Sequence, residues 1–496
     1  MVIDLDRSGK IPLYRQISTH ISGLIARELL LPGQRLPPSR ELAGSLGVSR
    51  NTVVLAYDEL EAAGLLTSRV GRGTSVCDRL PPGIASVSRP AAEPFPLEGL
   101  FGSRWTKPFP PLLALQEQVS AGREERESVN LASAAPDSSL FPLEEFRDSL
   151  VRALRCYGGD LLTCGSARGF APLLAEIARM LARRNIICSS ENLMIVNGSQ
   201  QALSLLARLF VDPGDTVIME NLTYPGALQV FRSLQANCVG IPLDEEGLRV
   251  DILESVLRRS RAKLVYTIPA FQNPTGVNLS PERRRRLVEL CRRHEAVIVE
   301  DDYARDLRFE GAASPPLKAW DRAQGIVYLG GFSETLFPGI RLSYILAPVR
   351  IIQRLLLLKE TSDLYTNRIL QGALLEFCRR GHLARHIKRK RAVHRRRSEA
   401  MARALRAHLP PAVAWRRPAG GVYQWLDLPA SVDALDLLMK TRQRGVFFAP
   451  DRLFAVEAWE RGGLRLDFGE VAEDKIVRGV EVISAAIQET IEAGGG

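Results

Sequence analysis

No C-x-x-C pair occurs anywhere in this sequence, and its seven cysteines (Cys77, Cys156, Cys164, Cys188, Cys238, Cys291 and Cys378) are odd in number and scattered. This argues against a disulfide framework and against a zinc site, and fits a reducing compartment. The first residues lack a basic stretch followed by an apolar run, and no apolar segment is long enough to span a bilayer. The expected location is the cytoplasm, away from any membrane. Acidic residues are in the minority. Lysine and arginine number 66 against 56 aspartate and glutamate, leaving a formal charge of +10. That balance suits an anionic partner, and a coding bias toward arginine is the alternative. The 496 residues suggest two or three domains, and a hydrophobic fraction of 46% supplies a large core.

Residues 11 to 76 read as a small helical unit with a β end. Leu13, Ile17, Ile21, Leu24 and Ile25 recur at helical spacing. Pro32-Gly33 stops that helix. Ser39 and Ser49 are expected to cap two further helices, joined by a turn at Gly47-Val48. Leu65 to Arg69 and Thr74 to Val76 flank Val70-Gly71-Arg72-Gly73, a hairpin with a glycine-rich tip. Helix, tight turn, helix and basic hairpin make a winged helix-turn-helix.

The run Leu36-Pro37-Pro38-Ser39-Arg40-Glu41-Leu42-Ala43, followed by Val48-Ser49-Arg50-Asn51-Thr52-Val53 and Ala56-Tyr57, resembles the DNA-binding domain of the GntR superfamily. The resemblance implies double-stranded DNA as a partner. Arg50, Asn51 and Thr52 open the second helix of the motif, the part that faces base edges in the major groove. Arginine can pair with guanine and asparagine with adenine. Arg40, Arg69 and Arg72 are placed for phosphates or the minor groove, and Ser49 for the helix start. A solvated helix end and a solvated turn are the alternative readings of Arg50 and Arg72.

Residues 79 to 128 change character. Pro81-Pro82-Gly83, Pro94-Phe95-Pro96 and Pro108-Phe109-Pro110-Pro111 break any periodic pattern. This stretch reads as a long, partly extended tether.

From residue 129 onward strand-like and helix-like segments alternate, predicting an α/β domain with a mainly parallel sheet. Leu193 to Val196 leads into Asn197-Gly198-Ser199-Gln200, a turn that opens a helix. A helix start offers free N–H groups and the positive end of a dipole, which suits a phosphate. Other strands end at Tyr224-Pro225, Asn273-Pro274, Asp301-Asp302-Tyr303 and the stretch from Gly331 to Arg341. Ligands of such sheets bind at these carboxyl ends.

In order and spacing these motifs resemble the MocR-type regulators, in which a GntR winged helix is fused to a fold-type I aminotransferase domain. The resemblance implies a winged helix at 1–78, the linker at 79–128, a large domain at 129–390 and a smaller C-terminal α/β domain at 391–496. It implies that Gly198, Ser199, Gln200, Ser333 and Arg341 hold the phosphate of pyridoxal phosphate. Tyr224 would stack on the ring, Asn273 and Tyr303 would bond its hydroxyl, and Asp301 would pair with its nitrogen. Arg465 would bind the carboxylate of an effector. It also implies a head-to-tail homodimer with a shared pocket.

One position departs from the family pattern. The segment Ser333-Glu334-Thr335-Leu336-Phe337-Pro338-Gly339-Ile340-Arg341 resembles S-K-x-x-x-x-G-x-R, whose lysine forms the Schiff base. Here that position is Glu334, and a carboxylate cannot form an imine. Lys263, Lys318 and Lys359 match no catalytic position. Cys164-Gly165 lies where the family often has an aromatic residue, and Ala134-Ala135-Pro136-Asp137 lacks a glycine common beside the substrate. The expectation is therefore a DNA-binding regulator with a degenerate aminotransferase domain and no transaminase activity. It would bind pyridoxal phosphate, pyridoxamine phosphate or an amino-acid-like effector without a covalent bond. An enzyme with lysine-independent chemistry is the alternative. The charged run from Gly381 to Arg397 reads as a solvated helix leading to the small domain, with a basic patch for DNA as the alternative; His382 and His386 within it are not expected to bind metal.

Overall fold

The computed structural model describes residues 3, 5–7, 9, 11–26, 30–69, 73–77, 128–133, 136–457 and 462–494. The linker expected at 79–128, apart from its last residue, lies outside the described residues, as do Arg72 at the hairpin tip and Ala134-Ala135.

The chain divides into two compact units, residues 1–101 and 102–496. In the first, helices Leu13–Ala26, Ser39–Leu46 and Arg50–Ala62 precede an antiparallel pair of strands, Leu66–Arg69 and Gly73–Val76. Ile17, Ile21, Ile25, Leu42, Val53, Ala56, Leu60 and Val76 form its buried core. Each large side chain so buried contributes about 1.5–3 kcal/mol. Gly47 ends the second helix with φ 63°, a left-handed turn that glycine adopts without a Cβ clash. Ser49 caps the third helix, accepting from the Thr52 amide at 3.1 Å. Ser39 does not cap. It is already the first helical residue, because Pro38 holds the preceding extended conformation. Its hydroxyl instead accepts from Arg50 Nε at 3.4 Å.

The second unit is built on a seven-stranded sheet in the order Leu193–Val196, Ser343–Leu346, Ile326–Gly331, Val297–Asp301, Leu264–Thr267, Thr216–Glu220 and Asn237–Ile241. All strands are parallel except Ser343–Leu346, which opposes both neighbours. Leu193–Val196, Leu264–Thr267 and Ser343–Leu346 are buried at every residue. Such uninterrupted apolar runs suit a sheet covered on both faces. Apolar faces of helices Ser199–Phe210 and Pro225–Ser233 pack in one core, and those of Val250–Arg259 and Pro281–Arg293 in another.

A second, four-stranded antiparallel sheet joins Ala414–Trp415, Tyr423–Asp427, Gly463–Asp467 and Ala449–Pro450. Helix Glu473–Gly494 packs with it. Val129–Asn130, at the expected start of the large domain, pairs with Val446–Phe447 and shares the apolar cluster of this sheet. Helix His382–His408 runs unbroken through residue 390. It is solvated on one side only, where Arg385, Lys388, Arg389, Arg395 and Arg396 are exposed. His386, Lys390, His394 and Arg397 are buried, at a spacing that lines one helix face.

Candidate ligand-binding site

The parallel strands deliver their carboxyl ends to a cavity of about 600 Å³. Ser199, Gln200, Tyr224, Asn273, Asp301, Tyr303, Ser333, Glu334, Arg341 and Arg465 all line it. These residues run from 199 to 465 in the chain, and the two sheets together bring them to one cavity.

One end gathers a helix start and a guanidinium. Gly198 precedes the helix at Ser199 with φ 85°. A Cβ there would lie 2.6 Å from Arg341 Nη2, so glycine is what lets the guanidinium approach the helix start. Arg341 itself is left-handed, φ 48°, and donates to the Asn197 carbonyl at 3.3 Å. Ser199 and Ser333 line the same cavity. A helix start, a guanidinium and hydroxyls on one cavity are groups whose chemistry suits an anion.

Tyrosines and Asp301 also line the cavity. Tyr224 forms a wall, its hydroxyl 3.5 Å from Gln200 Oε1. Asp301 ends its strand and accepts from the Tyr266 hydroxyl at 2.8 Å. Burial pushes the Asp301 carboxyl up to about 6, against the pull of that hydrogen bond. A cation placed beside it would restore the ionised form. Tyr303 donates to the Phe271 carbonyl at 2.7 Å and stacks on Tyr423 with centroids 6.4 Å apart.

Arg465 marks the far end. It is 5% exposed and lies over the rings of Tyr423 and Phe454, at 4.2 and 4.9 Å. It donates to Asn273 Oδ1 and to the Ala132 carbonyl, both at 3.0 Å. Among the described residues its Nε has no hydrogen-bond partner.

Glu334 also faces the cavity. Burial pushes its carboxyl up, while Lys390 and Arg465 pull it down. Sequence reasoning missed Lys390. It is 1% exposed and donates to the Glu334 main-chain carbonyl at 2.5 Å. The signal available was the i, i+4, i+8 spacing of His386, Lys390 and His394, easily lost in a run of arginines. Lys263, Lys318 and Lys359 are engaged elsewhere, with Asp215, Asp321 and Asp363.

In the first unit, Arg40, Ser49, Arg50 and Asn51 are exposed and Thr52 is half-buried. Arg69 closes the hairpin opposite Gly73.

A winged helix joined to a fold-type I aminotransferase scaffold is the class that this geometry defines. Residues 126–483 match the model of aminotransferase class I and II, and residues 13–76 match that of bacterial regulatory proteins, gntR family. The chain belongs to the aminotransferase class I and II family and carries a GntR-type helix-turn-helix, as regulators of the MocR and TauR kind do. It is 33% identical to MocR of Rhizobium meliloti, a probable rhizopine catabolism regulatory protein, over 82% of this chain and 79% of that one. It is 31% identical to the HTH-type transcriptional regulator TauR of Rhodobacter capsulatus, over 92% and 93%. Among solved structures, the kynurenine aminotransferase of Pyrococcus horikoshii, in complex with PMP, is 34% identical with a TM-score of 0.76 over 79% of this chain and 98% of that one. Among the described residues no helix is long and apolar enough to cross a membrane.

Proposed function

We propose that this protein is a DNA-binding transcriptional regulator whose aminotransferase-like domain senses a small molecule without performing transamination. The observation that carries the reading is Glu334 in the cavity that also holds Ser199, Arg341 and Asp301. It stands where the family pattern has lysine. The MocR and TauR similarities support a regulatory role.

The cavity fits a vitamin B6 phosphate at one end and not at the covalent attachment. Gly198, Ser199, Gln200, Ser333 and Arg341 would hold the phosphate. Tyr224 would cover the ring, Asn273 and Tyr303 would bond its hydroxyl, and Asp301 would face its nitrogen. When bound to an enzyme, this cofactor supplies an electron sink for carbanions. Position 334 offers a carboxylate instead of an amine. Binding is therefore reversible, and the amine form, pyridoxamine phosphate, binds more tightly than the aldehyde, because its ammonium meets an opposite charge. Calorimetric titration with both forms tests this. Heat from neither, or tighter binding of the aldehyde, overturns it.

Residues 1–78 would bind DNA through Arg50, Asn51 and Thr52, with Arg40, Arg69 and Arg72 toward the backbone. The linker is assigned to 79–128, the large domain to 129–390 and the small one to 391–496. The functional state would be a cytoplasmic homodimer reading paired half-sites. Sedimentation at micromolar concentration, with and without DNA, checks the dimer.

A further inference from the structure

We infer that a second cavity, at the amino ends of the parallel strands, binds a small organic anion, an aromatic body that carries a carboxylate. The sensory reading of the larger cavity neither requires nor implies this.

The second cavity lies where helix Pro281–Arg293 ends and strands Val297–Asp301 and Ile326–Gly331 begin. It is therefore at the opposite end of the sheet from the cavity that Asp301 lines. Its volume is about 380 Å³, within the range of small-molecule sites. Cys291, Ile298 and Ile326 line it and are buried. The half-buried indole of Trp320 lines it too. Such a lining gains by taking an apolar body out of water, and the indole favours an aromatic one.

The polar groups have one sign unspent. Arg285, Arg292 and Arg322 line the cavity and are exposed. Among the described residues none of their guanidiniums has a hydrogen bond or an ion pair, and the Trp320 indole N–H has no acceptor. The acids of the lining, by contrast, are occupied. Glu289 pairs with Arg286 and Arg293. Asp321 pairs with Lys318 and accepts from the Gly325 and Ile326 amides. The carbonyls at the helix end are also taken, since Leu290, Cys291 and Arg292 accept from the amides of His294, Ala296 and Glu295. Donors are free and acceptors are not, which selects an anion. A guanidinium meets a carboxylate with two parallel N–H groups. A neutral apolar molecule leaves the arginines without a partner. A DNA backbone satisfies the arginines and leaves the buried apolar side chains wet.

The test titrates the full-length protein by calorimetry with 1-naphthylacetate and with its uncharged amide, 1-naphthylacetamide. The carboxylate should bind about fivefold or more tighter than the amide, and added salt should shrink that ratio, because the arginines are exposed. The variant Arg285→Gln/Arg292→Gln/Arg322→Gln should bring the ratio close to one. It should bind pyridoxamine phosphate as the unaltered protein does, which tells a failure here from a failure of the sensory reading. Arg292→Gln alone should lower the ratio partway, and it carries the test if the triple variant unfolds. Trp320→Leu should weaken acid and amide alike and keep the ratio. No binding of naphthylacetate at millimolar concentration, equal affinity for acid and amide, or a ratio unchanged in the arginine variants overturns the inference. So does a triple variant that loses affinity for duplex DNA while naphthylacetate binds neither protein, an outcome that gives the arginines to phosphates.

Discussion

The Nζ of Lys390 lies 2.5 Å from the main-chain carbonyl oxygen of Glu334, inside the protein, and Glu334 lines the cavity. An acid occupies the position expected for lysine, and a lysine from another helix stands next to it. Burial pushes the Lys390 ammonium down and the Glu334 carboxyl up, and each opposes the shift of the other. The pair is therefore interdependent, and changing either member should change both.

Lys390→Met should move the ligand preference along the pH scale. Glu334 would keep Arg465 as its remaining nearby cation, with the Tyr224, Tyr303 and Tyr423 hydroxyls and the Asp467 carboxyl as its other ionisable neighbours. Loss of the lysine charge raises the Glu334 carboxyl further, so it holds its proton to higher pH. The preference for pyridoxamine phosphate over pyridoxal phosphate should weaken at neutral pH and return as pH rises. Titrations of both forms in neutral and alkaline buffers read this directly. A preference with the same pH profile as the unaltered protein would show that Lys390 does not govern Glu334.

Asp301→Asn should stabilise the ligand-free protein at neutral pH. Burial raises the Asp301 carboxyl from an ordinary 3.8 to about 6. The folded state then binds a proton that the unfolded state has released, so stability falls as pH rises from about 4 to 6 and stays lower above that. The loss across that window is roughly 3 kcal/mol at most. The amide carries no charge and escapes it. The variant should melt higher than the parent at pH 7 and at the same temperature near pH 4, measured by calorimetric scans. The same variant should bind vitamin B6 phosphates more weakly, because the ring nitrogen loses its acid.

Glu334→Lys should restore covalent capture of pyridoxal phosphate if the rest of the pocket is intact. The parent should stay colourless after gel filtration, and the variant should keep a visible absorbance. Borohydride reduction followed by peptide mapping should place the adduct at residue 334. A colourless variant in excess pyridoxal phosphate would mean that the phosphate contacts of the pocket no longer work.

Arg50→Ala and Ser49→Ala should separate recognition from folding in the first unit. Arg50 is exposed and its only side-chain hydrogen bond among the described residues is a long one to Ser39, so removing the side chain should leave the fold intact. It should lower discrimination between operators by about 1–3 kcal/mol if the guanidinium pairs with a guanine. Ser49→Ala removes a helix cap and should cost about 0.5–2 kcal/mol in stability. Competition binding on selected and scrambled DNA, beside thermal melts, distinguishes the two.

The order of elements was legible in the sequence, because apolar periodicity and turn residues are local. Gly47, Ser49 and the helix from Arg50 could be placed from neighbours a few residues away. The parallel strands stand out as short apolar runs, and their polar ends point to where a ligand would sit. The ten cavity residues were expected on the strength of a family pattern, and the fold then gathered them, Arg465 from the four-stranded sheet and most of the others from the ends of the seven-stranded one. Ser39 was misread because a cap depends on the backbone angles of Pro38, which residue type alone did not settle. The pairing of Val129–Asn130 with Val446–Phe447 joins residues more than three hundred positions apart, and no local signal carries that. Lys390 is the clearest case. Its charge and its charged neighbours together indicate solvent. Only the packing of helix His382–His408 turned that face inward, where a lone ammonium has to find an oxygen, and Glu334 supplies it.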